Sequence, residues 1–226
     1  MKTLTILNQF WKMRLRRSLS ILTFAIFGIT SLTGCATSNL TSFTKQKVAE
    51  PYVNVVVVFV ETNQEITQFN EEAYNTIVRK KFNNLSNIDF RKNLENAFVK
   101  NMGQTSTLVT GAGSLFEAGD DIDYASFIGG LKKAGAEAVL VVNMNKSWST
   151  TTERIVKNDA LNTYDVVKDA NPNASYLCYL IDLNQIKPVW MGKSTGSGVW
   201  MVGYNTLNNN LAKNVNSKLN KEGFVY

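Results

Sequence analysis

Tyr52-Val53-Asn54-Val55-Val56-Val57-Val58-Phe59-Val60-Glu61-Thr62 is the stretch on which the fold turns. β-branched side chains lose rotamer freedom in a helix but pack well on a pleated surface. The run is almost unbroken and lacks the polar alternation of a half-exposed strand. It therefore predicts a central strand buried on both faces.

Working outward, Asn70–Lys81 places acidic residues early and basic ones late, which predicts a helix aligned with its own dipole. Phe90, Leu94, Ala97, Phe98 and Met102 recur at helical spacing and predict a helix over 88–102, with Gly103 as a left-handed stop. Thr105–Thr110 reads as a short strand, 111–121 as a loop, and 122–134 as a helix ending at Gly135. Glu137–Trp148 starts as AVLVV and then alternates, so it predicts a strand leaving the core for a more exposed edge. Residues 149–173 are rich in Thr, Asn and Asp; they predict a hairpin, or a strand at Thr151–Val156 followed by a mobile loop to Pro172. Ser175–Leu183 and Pro188–Ser197 read as an antiparallel pair joined across Asn184-Gln185. Leu207, Leu211, Val215 and Leu219 mark a C-terminal helix stopped at Gly223. This order predicts an α/β (α+β) fold: a single mixed sheet with an antiparallel C-terminal half and helices packed mainly on one face.

The N-terminus reads differently. Lys12, Arg14, Arg16 and Arg17 form a basic region, Ser18–Leu32 is an uncharged apolar run, and Leu32-Thr33-Gly34-Cys35 closes it. That order matches a secretory leader ending in a bacterial lipobox, with Leu32, Thr33 and Gly34 recognised by the peptidase and Cys35 bearing the lipid. Residues 1–34 are then signal peptide, 35–50 the lipidated cysteine and a flexible tether, and 51–226 a periplasmic domain. Each buried methylene contributes about 0.8 kcal/mol, so several acyl chains on one cysteine give lasting attachment. Ala36 follows Cys35 where resemblance to known lipoproteins makes Asp an inner-membrane retention signal. The expected location is thus the outer membrane, facing the periplasm.

Composition narrows the chemistry. Of 24 basic residues, five precede Cys35, where there is no acidic residue, leaving 19 against 18 acidic ones in the processed chain. Near neutrality predicts no nucleic-acid partner. With Cys35 lipidated, Cys178 has no intrachain disulfide partner, and its apolar surroundings predict a buried, inert thiol. The chain has no histidine, which removes imidazole-based triads and the usual zinc sites. No catalytic residue, cofactor or metal is expected, and the chain reads as a non-enzyme.

Local motifs agree. Gly192-Lys193-Ser194-Thr195 resembles the end of a P-loop, but Lys187 stands where the first glycine is required, and the segment continues as a strand. Gly111-Ala112-Gly113 opens like a dinucleotide fingerprint, yet Phe116 occupies the third glycine's place, so a turn is expected, with backbone amides able to line a small anion site. Asp120, Asp121 and Asp123 read as helix-capping residues rather than ligands. Glu61, Glu65, Glu71 and Glu72 read as a solvated face. Trp148, Tyr176, Tyr179, Trp190, Trp200 and Tyr204 concentrate in the antiparallel half. They suit core and cross-strand pairs, with Trp148, Trp190 and Trp200 as candidate interface aromatics.

Two stretches carry a family resemblance. Leu131–Val142 (LKKAGAEAVLVV) resembles the helix-then-strand pattern of small envelope lipoproteins, and Ser175–Gly198 resembles their hairpin, with Asp182 at the turn and Trp190 on the returning strand. LAKNVNSKLNKEGF at the C-terminus adds to the match. Together they resemble the group with the fold of the TolB N-terminal domain, which includes penicillin-binding-protein activators, the curli-secretion lipoprotein and families of unknown function. The resemblance implies a non-enzymatic adaptor or assembly accessory that binds another envelope protein. Activators carry a longer arm than this tether, and no membrane-spanning hairpins of the curli pore are identifiable. A small-ligand or glycan-binding module using Gly111–Asp121 and neighbouring aromatics is the alternative, and an enzyme working with paired carboxylates a third reading.

Overall fold

The valine run forms β2 (Asn54–Glu61), in which every residue from Val55 to Val60 is buried. The structure, a computed structural model, describes residues 37–62, 64–82, 88–103, 105–117, 122–199, 201 and 203–226. The chain divides into two units, Met1–Cys35 and Ala36–Tyr226, and all the described residues belong to the second. Around β2 the chain builds β1 (Thr37–Thr44), α1 (Glu71–Thr76), α2 (Ile88–Met102), β3 (Leu108–Gly111), α3 (Tyr124–Lys133), β4 (Ala138–Asn158), β5 (Thr163–Asp182), β6 (Lys187–Ser197) and α4 (Tyr204–Lys221). The strands form one mixed sheet in the order β1-β6-β5-β4-β2-β3, with β2 parallel to β3 and β4 and every other pair antiparallel.

Chain connectivity explains the layers. Passing from β2 to β3 moves one way along the sheet, and passing from β3 to β4 moves back across β2. Right-handed crossovers in opposite directions place their helices on opposite faces. Leu94, Phe98 and Met102 of α2 join Leu211, Val215 and Leu219 of α4 over Val55, Val57 and Phe59. Phe127, Ile128 and Leu131 of α3, with Tyr74 of α1, cover Val56, Val58 and Val60. The two long helices share one face, and the shorter pair closes the other. This is why β2 has no wet side.

Several boundaries differ from expectation. Within the stretch expected to be a tether, Thr37–Thr44 is a paired strand, from Thr37–Ser197 to Thr44–Trp190. Its inward residues are small, apart from Leu40, and polar contacts hold it: Ser42 and Thr44 hydroxyls donate to Glu222 at 3.0 and 2.7 Å. The helix expected over 70–81 stops at Thr76, capped at its start by Asn70 and followed by a separate turn at Val78–Lys80. Gly135 and Gly223 do adopt the left-handed conformation, whereas Gly103 does not. A side chain at Gly103 would press on the Val99 carbonyl, to which the Gly103 amide donates at 2.9 Å.

Candidate functional site

The 149–173 segment resolves as a hairpin. β4 and β5 continue past the sheet as a two-stranded ribbon, from the Ser149–Pro172 pair to Asn158–Thr163. At about 3.3 Å per residue this arm extends roughly 30 Å. Beyond Glu61–Met144 and Asn173–Ser197 no other described strand pairs with it, and at its root the Gly198 amide donates to the Pro172 carbonyl at 2.7 Å. Ile155 and Val166 are cross-strand partners on one face, 73% and 60% exposed. Tyr164 pairs with Lys157 beside them, and a Lys168–Glu153 ion pair at 3.1 Å flanks them on the other side. The arrangement is an exposed apolar pair with charged side chains on either side.

A second feature lies between α2 and β3. Arg91 and Glu95 stand one turn apart on α2, and their side chains are 7% and 4% exposed. Glu95 Oε1 accepts from Arg91 Nε at 2.8 Å and from the Phe59 amide at 3.2 Å, while Oε2 accepts from the Gly113 amide at 2.8 Å. Gly111 and Gly113 are what bring the turn this close, because a Cβ on them would stand 3.0 and 3.3 Å from Oε2. The glycine turn thus binds an anion, and that anion is the protein's own carboxylate. Next to the pair is a cavity of about 490 Å³, lined among others by Arg91, Asn96, Val99, Val109, Ser114 and Phe116. Nothing in the sequence singled out Arg91 or Glu95. Their spacing of four is also that of an ordinary surface pair.

The residues named from sequence fall in different places. Leu32, Thr33, Gly34, Cys35, Asp120, Asp121 and Trp200 lie outside the described residues. Trp190 is fully buried in the α2/α4 core and offers no face to a partner, which corrects its reading as an interface aromatic. Trp148 is about one-third exposed and pairs with Asn173 at the root of the ribbon. Tyr176 and Tyr179 are core, and Tyr204 packs edge-on against Phe90 with centroids 5.2 Å apart. Lys193 and Ser194 sit within β6, so the P-loop likeness is a strand. Asp123 caps α3, accepting from the Ser126 amide at 2.9 Å, and that bond holds its carboxyl below the ordinary range. Glu65 pairs with Lys146 at 3.1 Å and Glu71 with Lys45 at 3.2 Å. Burial pushes the Cys178 thiol up to about 12, the inert state expected of it. Asp182 holds the β5–β6 turn through the Asn184 and Gln185 amides, both at 2.8 Å, and accepts from the Tyr52 hydroxyl at 2.8 Å.

No family model matches the chain, and no curated protein sequence does. Among solved structures it is similar to a PelC dodecamer from Paraburkholderia phytofirmans, with 14% identity over 84% of this chain and all of that one and a TM-score of 0.48. It is also similar to lipoprotein GNA1162 from Neisseria meningitidis, with 12% identity over 75% of this chain and 99% of that one and a TM-score of 0.41. Both scores fall below one-half, and neither likeness carries a function to this chain.

Proposed function

We propose that this chain is a lipid-anchored, non-enzymatic adaptor of the bacterial envelope that docks another envelope protein through the β4–β5 ribbon. The observation behind this reading is the exposed Ile155–Val166 pair on an arm that no further described strand covers. A two-stranded ribbon is marginal by itself in water, and exposed apolar cross-strand neighbours lower in energy once a partner covers them.

The pairing of β1 supports a short connection to the anchor. Two peptide steps separate Cys35 from Thr37, at most about 7 Å, where a free tether of fifteen residues would reach about 50 Å. Thr37 lies on the row Thr37–Ser197–Asn173–Trp148, and the ribbon leaves the sheet from that same row. Acyl chains on Cys35 would restrict the domain to membrane-proximal partners. Ala36 in place of Asp favours the outer membrane, with the domain in the periplasm.

Co-purification of the lipidated protein in mild detergent tests this. One dominant protein partner is expected with the native chain, and an Ile155→Glu/Val166→Glu variant of unchanged melting should lose it. Full capture by that variant would remove the ribbon from the reading.

A further inference from the structure

We infer that the cavity beside Arg91 is a binding site for a small organic anion with an apolar body. A guanidinium carries five N–H donors. The ion pair with Glu95 engages one of them, Nε, and among the described residues the others have no hydrogen-bond partner. Glu95 is not available to a ligand: both its oxygens already accept from the chain. The carboxylate holds the Arg91 side chain through Nε, and both residues line the cavity. The terminal nitrogens are not among the buried unpartnered atoms, so they are reachable from the cavity side.

The neighbouring residues define the ligand. Lys92 also lines the cavity and is exposed, so Arg91, Lys92 and Glu95 together leave the site one positive charge. That sign selects an anion. Val99, Val109 and Phe116 supply an apolar wall, which suits an organic body rather than a hydrated inorganic ion. At about 490 Å³ the space matches a compact molecule of one or two rings or a short acyl chain ending in carboxylate, sulfonate or phosphate. Thr110 and Ser114 border the site with hydroxyls for orientation. This site lies on a different part of the domain from the ribbon, and its occupancy does not depend on the adaptor reading.

The test uses two fluorescent dyes sharing one apolar body: anilinonaphthalene sulfonate, which is anionic, and phenylnaphthylamine, which is neutral. The sulfonate should bind the native chain at least about tenfold more tightly, the ratio one charge-assisted hydrogen bond supplies. Arg91→Lys should erase most of that preference. Asn96→Trp and Ser114→Trp, each at an exposed lining residue, should block the sulfonate without altering melting. Ile155→Glu on the ribbon should change nothing. Equal affinity for the two dyes would overturn the assignment, as would binding that survives both tryptophan variants or disappears with Ile155→Glu.

Discussion

Glu95 accepts a hydrogen bond from the Gly113 amide at 2.8 Å, which ties the middle of α2 to the turn after β3. With the Phe59 amide and Arg91 also on Glu95, one buried carboxylate links a strand, a helix and the glycine turn.

Glu95→Ala leaves Arg91 charged and buried without its counter-ion, and should cost about 3–5 kcal/mol in urea unfolding. Replacing both members by apolar residues should cost less than the sum of the single changes. A strictly additive cycle would mean that the two side chains do not interact.

Trp190→Ala should destabilise by about 3–5 kcal/mol, the range for deleting a buried aromatic ring. Gly192→Ala should also destabilise, by about 1–3 kcal/mol, because the new methyl meets the Trp190 ring. The two changes should be markedly non-additive, since removing the ring makes room for the methyl. Melting curves of the four proteins in the cycle decide this.

The attachment of β1 should weaken in acid. Burial alone would raise the Glu222 carboxyl, but hydrogen bonds from Thr44, Lys218 and Ser42 outweigh it and hold the value below the ordinary 4.5. A proton therefore binds the unfolded chain more tightly than the folded one. The resulting stability is present in full above that ordinary value, and it disappears as pH falls through the lowered one. Glu222→Gln should flatten this part of the acid limb in melting scans. An unchanged profile would rule out Glu222 as its source.

Cys178 should be silent to thiol reagents. In Cys35→Ala it is the one cysteine of the chain, and full burial keeps it protonated. Ellman's reagent should react only after denaturant is added; prompt reaction at neutral pH would mean that β5 opens.

Cys35→Ala should also abolish lipid attachment and release the protein from the membrane fraction. Mass spectrometry of the native N-terminus should find acyl chains on Cys35, and a bare thiol there would end the anchored reading.

Much of the architecture was legible because it is written in local pattern. α2 occupies the expected residues 88–102, since its apolar positions recur at one helical face. Asp123 and Gly135 mark the ends of α3 through capping chemistry that needs only near neighbours. β2 declares its double burial through six valines in eleven residues.

What the sequence alone determined are those features whose cause lies within a turn or two of chain: the valine strand, the long helices, the caps of α3, and the inert environment of Cys178. The tertiary structure decided the rest. β1 is polar because it is an edge strand, and a polar edge strand looks like a tether until Met191, Gly192 and Lys193 lie opposite it. Trp190 could have been core or surface, and only the packing of α2 and α4 closed over it. Arg91 and Glu95 resemble any surface pair until β2 and the glycine turn bring two amides to one carboxylate. In each case the deciding contact joins residues far apart in the chain, and local sequence holds no trace of a partner that only folding brings near.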